Sequence, residues 1–379
     1  MGLLDYYRQF EDVDEEELNK ERRARRAREK RLALERAPQL DLSSTEWPEL
    51  PDAEVVNASI YTARGRVNGY PSRHAAGIRR LLAERHEVAP ERIVVGNGAS
   101  ELLQAAALVL LGPGDELVTP WPSYPLYPLM AARAGGRPVA VDTGADGQDL
   151  AALAAAVTDR TRMVVICNPN DPTGSHVTAE RIAALAAELP ERATLVVDEA
   201  LVHFQDAEPL DAVLRLTDAF PRLLVVRTFS KIYGLSGLRA GYAVGSDAAA
   251  QLLDAIAPVL GVNALTQAAV AQALKISDPE VGRRRAAVIE ERHRLEAALG
   301  ALAVDFTPSQ ANFLWLAAAG LSGAALANRL ERESVTVAPG GPLGADDHVR
   351  VAIRDTGATN RLLSALEKAL AVPADDTVA

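Results

Sequence analysis

The chain is poor in several residue types, and each shortage excludes something. Among its 379 residues there is one cysteine, Cys167. That excludes an internal disulfide framework and a cysteine-only zinc cage, and it fits a reducing compartment. No apolar run approaches the roughly 18 residues of a membrane span; the richest patch, Leu102 to Leu111, is too short. The opening stretch, Met1 to Leu18, is acidic and polar and does not read as a secretory signal. Cytoplasm is the expected location. Positive charge is in deficit, with Lys+Arg 40 against Asp+Glu 51 and a formal net charge of −11. Such a chain has no general attraction to nucleic acid or anionic lipid. Lysine is scarcest of all: Lys20, Lys30, Lys231, Lys275 and Lys368, with arginine as every other basic residue. Chemistry that needs a lysine amine therefore has five candidates.

What is present is ordinary for a globular protein, with 48% hydrophobic and 24% charged residues. Residues 14–36 are charged almost throughout, acidic first and basic later, which complements a helix dipole and predicts a solvated helical arm. From about residue 90, apolar runs alternate with amphipathic segments. Strands are expected at Arg92–Val95, Glu116–Thr119, Arg137–Val141, Arg162–Cys167, Thr194–Asp198, Leu223–Thr228 and Gly241–Val244. Helices are expected between them, for example at Ser100–Leu111, Thr178–Glu188 and Asp211–Ala219. Runs such as MVVI, LVVD and LLVV are apolar on both faces, the mark of a parallel sheet covered by helices on both sides. The fold class is α/β. After about residue 255 the pattern changes to a long charged helix, Asp278–Leu299, and strands at Phe313–Leu316, Val335–Ala338 and His348–Ile353. A final helix is expected at Thr359–Ala371, and residues 373–379 should fray. The expected division is an N-terminal helical arm over 1–48, a large domain over 49–255 and a smaller α+β domain over 256–379.

In open α/β sheets, ligands bind outside the carboxyl ends of the strands, so the residues that follow each strand matter most. Gly96-Asn97-Gly98-Ala99-Ser100-Glu101 opens a helix. It is either a tight turn with a serine cap or a phosphate cradle of free backbone N–H groups. Trp121, Tyr124 and Tyr127 cluster after the next strand, either as core packing or as a flat wall for a planar cofactor. Asn168-Pro169-Asn170-Asp171-Pro172-Thr173-Gly174 makes a rigid polar turn. Asp198-Glu199 ends an apolar strand, where a buried carboxylate needs a cationic partner. Lys231 follows Leu223–Thr228, and it alone of the five lysines ends an apolar strand on the ligand side. A desolvated amine there has the lowered pKa that a Schiff-base lysine requires. An aromatic wall, a phosphate cradle, an acid and a lone lysine are the parts needed to hold pyridoxal phosphate.

The motifs GNGASELL, PWPSYPLY, NPNDPTG, VVDEA, TFSKIYGLSGLRAGY and HVRVAIR occur in this order over about residues 60–355. In this the chain resembles the fold-type I, class I/II pyridoxal-phosphate aminotransferases, and most of all their histidinol-phosphate aminotransferase branch. The resemblance implies a large domain with a mainly parallel mixed sheet sandwiched by helices, a smaller C-terminal domain, and a homodimer with shared active sites. It implies amino transfer from an amino acid to a 2-oxo acid through a Lys231 Schiff base. Asp198 would pair with the pyridine nitrogen and Tyr124 would stack on the ring. The amides of Ala99 and Ser100, with Thr228, Ser230 and Arg239, would hold the phosphate. Tyr70 would reach the phosphate of the partner subunit. Arg350 would grip the substrate carboxylate, with Asn312 lining the same pocket. A decarboxylase of the threonine-phosphate type and a cofactor-binding protein without turnover remain open as alternatives.

Three positions depart from the family. Asp171 stands where the family has an asparagine, and Leu201 where it has a tyrosine. Both family residues donate to the cofactor's phenolate oxygen, whereas an ionised Asp171 only accepts. Ala338 replaces an arginine that the histidinol-phosphate enzymes tend to carry for their substrate. The segment Leu42–Pro48 also differs, and its Trp47 either lines the pocket or anchors the arm. Loss of both phenolate donors predicts that the Schiff base stays protonated to higher pH than usual, each unit representing about 1.4 kcal/mol. A spectral titration of the holoenzyme checks this; a near-neutral midpoint would contradict it.

Overall fold

The computed structural model describes residues 20, 22–28, 38–144 and 147–371. Of the charged stretch 14–36, residues 20 and 22–28 are helical and exposed. The rest of that stretch, Met1 to Leu18, Lys30 and the tail 373–379 lie outside the described residues. Among the described residues no helix is long and apolar enough to cross a membrane.

In chain order the elements are β1 (Leu40–Asp41), α1 (Ala53–Arg66), α2 (Ala76–His86), β2 (Ile93–Gly96), α3 (Ala99–Leu110), β3 (Glu116–Trp121), α4 (Leu126–Arg133), β4 (Arg137–Asp142), α5 (Leu150–Ala155), β5 (Thr161–Cys167), α6 (Ala179–Glu188), β6 (Thr194–Asp198), α7 (Ala212–Arg215), β7 (Leu223–Thr228) and β8 (Gly241–Val244). Then come α8 (Ala250–Ile256), α9 (Ala264–Ile276), α10 (Asp278–Leu299), β9 (Val304–Thr307), β10 (Phe313–Ala318), α11 (Gly323–Glu331), β11 (Val335–Thr336), β12 (Ala338–Pro339), β13 (His348–Ala352) and α12 (Thr356–Leu370).

The large sheet has the order β2-β8-β7-β6-β5-β3-β4. β8 is antiparallel to both neighbours, and every other pair is parallel. The sheet is thus mixed and mainly parallel. Its two faces follow from the two-residue period of a strand. Met163, Val165 and Cys167 of β5 pack with residues of α3, α4 and α8 on one side. Val164 and Ile166 pack with residues of α5, α6 and α7 on the other. Burial of each such side chain is worth about 1.5–3 kcal/mol, which is why these strands read as unbroken apolar runs. The smaller sheet, β12-β13-β10-β9, is antiparallel and carries α11, while β1 pairs in parallel with β11.

Two expected elements change. Val335–Ala338 is not one strand: Val335–Thr336 pairs with β1, and Ala338–Pro339 pairs with β13. Pro339 has no N–H with which to extend the ladder. The helix expected over Asp211–Ala219 lasts only from Ala212 to Arg215 and tightens to a 3-10 turn over Leu216–Asp218. Asp211 does not cap it, because its carboxylate pairs with Arg227 and His86 instead. Thr217 Oγ1 also donates back to the Leu214 carbonyl at 2.7 Å, which competes with the regular helix.

Gly241 opens β8 opposite both Gly96 and Thr228. A Cβ there would lie 2.4 Å from the Ala99 nitrogen and 2.7 Å from the Gly98 carbonyl carbon, both backbone atoms. The close approach of α3 to the sheet therefore needs a glycine. Gly241→Ala should cost about 1–3 kcal/mol or more in chemical denaturation. Gly282→Ala, in open space on α10, should gain about 0.5–1 kcal/mol. Equal stability of the two variants would contradict this packing.

Candidate active site

Strand direction decides which residues meet. β2, β3, β5, β6 and β7 all end at one edge of the large sheet, and β8 alone begins there. Gly96 leads into α3, Trp121 into Tyr124, Cys167 into Asp171, and Thr228 into Ser230 and Lys231. Arg239, two residues before β8, arrives at the same edge from the opposite direction. One cleft of about 160 Å³ gathers Ala99, Ser100, Tyr124, Asp171, Asp198, Thr228, Ser230, Lys231 and Arg239.

One end of the cleft is built for an anion. α3 begins after Gly98, at φ +84°, and no side chain caps its first amides. Arg239 donates to Ser100 Oγ and to Ser230 Oγ, each at 3.3 Å, and Thr228 Oγ1 lies 3.0 Å from Ser230 Oγ. No carboxylate among the described residues is within ion-pair distance of Arg239. A Cβ on Gly98 would sit 2.4 Å from Arg239 Nη2, so the glycine lets the guanidinium close over the helix start. A guanidinium, three hydroxyls and uncapped helix amides gathered in one place suit a phosphate group.

The two acids after β6 have separate fates. Glu199 turns away from the cleft and pairs with Arg227 at 2.7 Å. Asp198 faces the cleft, almost fully buried, with no cation at ion-pair distance among the described residues. Its Oδ2 accepts from the Tyr127 hydroxyl at 2.9 Å and its Oδ1 from the Ala200 amide at 3.1 Å. Burial raises its pKa to about 6 against the pull of those two hydrogen bonds. A buried carboxylate of this kind is suited to a cationic ring nitrogen. Tyr124 stands edge-on to Tyr127, ring centroids 5.6 Å apart, and lines the cleft as a flat wall.

Lys231 Nζ donates to Thr45 Oγ1 at 2.6 Å. Burial pushes its amine below the ordinary value; Asp171 opposes that shift, and Arg350 adds to it. A lysine in this state has the nucleophilicity that covalent catalysis needs.

The remaining wall differs from an asparagine-and-tyrosine arrangement. Asp171 Oδ1 pairs with Arg350 Nη1 at 2.6 Å, and Leu201 is buried beside the cleft. Neither neighbouring asparagine replaces the missing donors. Asn168 is bonded through both ends of its side chain to the backbone of Val177. Asn170 bonds to Pro122, Thr173 and Ser123. Arg350 and Asn312 stand behind the cleft. Arg350 reaches it through Asp171, and Asn312 donates to the Thr45 carbonyl at 3.0 Å. Asn312 Oδ1 and Arg350 Nε are both buried without a partner. Tyr70 is elsewhere, 90% exposed, beside Arg66 and Pro71 in a separate cleft.

Glu46 lines the cleft and Thr45 accepts from its lysine, and sequence reasoning missed both. Residues 42–46 are held by long-range backbone contacts: Ala352 donates to Leu42, Arg350 to Ser43, and Arg354 to Ser44 and Glu46. Nothing local signals this, because Thr45 and Lys231 are 186 positions apart. Trp47 is an anchor: its ring lies 4.7 Å from the Arg284 guanidinium and packs on the core that the smaller sheet shares.

Because folding raises Asp198 from 3.8 to about 6, its protonation favours the cofactor-free fold. That contribution is complete below about pH 4 and is lost as pH rises through about 6. Relative to Asp198→Asn, the native apoprotein should lose about 2 kcal/mol of unfolding free energy between about pH 4 and pH 7. Parallel pH profiles of the two proteins would contradict the burial of an unpaired Asp198.

Comparison with known proteins shows the family to which the chain belongs. An aromatic amino acid aminotransferase from Corynebacterium efficiens is 37% identical over 332 residues, 86% of this chain and 92% of the relative. Histidinol-phosphate aminotransferase 1 from Nitrosococcus oceani is 35% identical over 329 residues, 87% of this chain and 88% of the relative. The crystal structure of histidinol-phosphate aminotransferase from Sinorhizobium meliloti in complex with pyridoxal-5'-phosphate superposes with a TM-score of 0.77 at 28% identity, covering 89% of this chain and 93% of that one. Residues 37–366 match the family described as aminotransferase class I and II, and the chain belongs to that family as a transaminase.

Proposed function

We propose that pyridoxal phosphate occupies the cleft at the sheet edge, with Lys231 as the amine that holds it covalently. The observation that carries this reading is the conjunction at that edge: a buried lysine with a lowered pKa, a buried acid with no cation at ion-pair distance among the described residues, and a cradle of anion donors around Arg239 and the start of α3. When bound, the cofactor supplies an electron-withdrawing ring that stabilises negative charge left on a substrate carbon. The chain's own residues do the rest. The first amides of α3, with Ser100, Thr228, Ser230 and Arg239, hold the phosphate. Asp198 keeps the ring nitrogen protonated, and Tyr124 covers the ring face. Once the substrate's amino group has displaced it from the cofactor, Lys231 Nζ would be a free amine able to take a proton from the substrate's α-carbon and return one, as its lowered pKa allows. Arg350 grips the substrate carboxylate, and Asn312 fixes Thr45 beside Lys231.

The substrates in this reading are an α-amino acid and a 2-oxo acid. Ala338 lies directly opposite Arg350 across β12 and β13. An alanine there offers no cation for a substrate phosphate, which favours a donor with an apolar or aromatic side chain. That agrees with the name of the Corynebacterium relative. The protein acts as a homodimer. Ile60, Tyr61, Val67 and Tyr70 expose 46%, 81%, 73% and 90% of their surface along α1 and the turn after it. Exposed apolar side chains clustered on one short segment suit a protein partner, and Tyr70 would reach the partner's phosphate from it. In this reading residues 49–255 are the cofactor domain and, among the described residues, 256–371 the small domain, with Leu40–Asp41 of the N-terminal arm pairing with the latter.

Lys231→Ala should abolish the visible absorbance of bound cofactor and lower transamination by at least about a hundredfold. An intact band with retained activity would overturn the assignment.

A further inference from the structure

Arg350 is the proposed grip for a substrate carboxylate, yet its guanidinium already holds one. Asp171 Oδ1 lies 2.6 Å from Arg350 Nη1, and the two side chains expose only 14% and 13% of their surface. The rest of the guanidinium is partly used. Nη2 donates to the Ser43 carbonyl at 3.2 Å, the face lies over the Phe313 ring at 5.4 Å, and Nε is buried without a partner. A fork that suits a two-pronged carboxylate has one prong taken by the protein itself.

Asp171 is also crowded by charge. Lys231 from the loop after β7 and Asp198 from the end of β6 both feel its field. Tyr124 after β3 and Cys167 at the end of β5 feel it too, and Glu46 faces the same cleft. Two carboxylates at one guanidinium repel each other, so a second carboxylate arriving at Arg350 competes with Asp171 for the fork. An Asp171 pushed off Arg350 has the Lys231 amine and the Asp198 carboxylate on the cleft side.

We propose that Asp171 is an internal carboxylate that occupies Arg350 until a substrate carboxylate displaces it. This rests on the reading of Arg350 as the carboxylate grip. The Asp171–Arg350 pair breaks as the substrate–Arg350 pair forms. Asp171 is then a specificity residue acting through Arg350. It penalises ligands that bring a carboxylate relative to those that do not.

The test is calorimetric titration of the holoenzyme with 3-phenylpropanoate, which has a carboxylate and no amino group to react; 3-phenylpropan-1-ol is the uncharged control. Asp171→Asn should bind the carboxylate at least about tenfold tighter than the native protein and should bind the alcohol as the native protein does. Arg350→Ala should lose carboxylate affinity. The visible band of bound cofactor reports that each variant is folded. Unchanged affinity in Arg350→Ala would overturn the reading of Arg350 itself. Lost affinity there, with Asp171→Asn binding no tighter, would overturn the displacement alone.

Discussion

The hydrogen bonding of β8 between β2 and β7, antiparallel to both, is the constraint on which the site depends. A wholly parallel sheet would send Arg239 to the far edge, about a strand length from the helix start it covers. With β8 reversed, Arg239 closes on Ser100 and Ser230 from the side opposite to α3. The approach is so close that only glycine fits at Gly98 and Gly241. Backbone direction, rather than any single side chain, converts scattered strand ends into a cradle.

The two-residue period of the strands then divides the charges. Asp198 and Thr228 face the cleft, while Glu199 and Arg227, their immediate neighbours, face the opposite layer. There Arg227 ties Glu199 and Asp211 together at 2.7 Å each, and His86 links Asp211 to the Tyr242 hydroxyl. A buried charge with partners on every side specifies one arrangement of the backbone. Among the described residues the acid on the cleft side has no cation at ion-pair distance, which makes it available to a ligand. The carboxylate that does have one, Asp171, takes it from the smaller sheet.

Much of this was legible in the sequence, for a physical reason. β6, β7 and β8 fall at the expected residues, because strands buried on both faces must be apolar throughout. The long helix Asp278–Leu299 was legible from its charge pattern. Lys231 stood out because lysine is rare in this chain and only one lysine follows an apolar strand. Other parts had no local signature. α1 buries only Val55 and exposes Ile60 and Tyr61, so it lacks the one-sided stripe that marks a helix against a core. β1, β11 and β12 are two residues long, too short for any periodicity to register. Thr45 meets Lys231, and Asp171 meets Arg350, across 186 and 179 positions. Such pairs follow from the placement of the smaller sheet against the larger one.

The central claim is that the edge where these strands meet holds pyridoxal phosphate through Lys231. The most direct measurement is borohydride reduction of the holoenzyme, trypsin digestion and mass mapping of the cofactor label. The account predicts the label on one peptide, Thr228–Arg239, bounded by cleavage at Arg227 and Arg239 and uncut at the modified lysine. A label on the peptide containing Lys275 or Lys368, or no retained label at all, would contradict it.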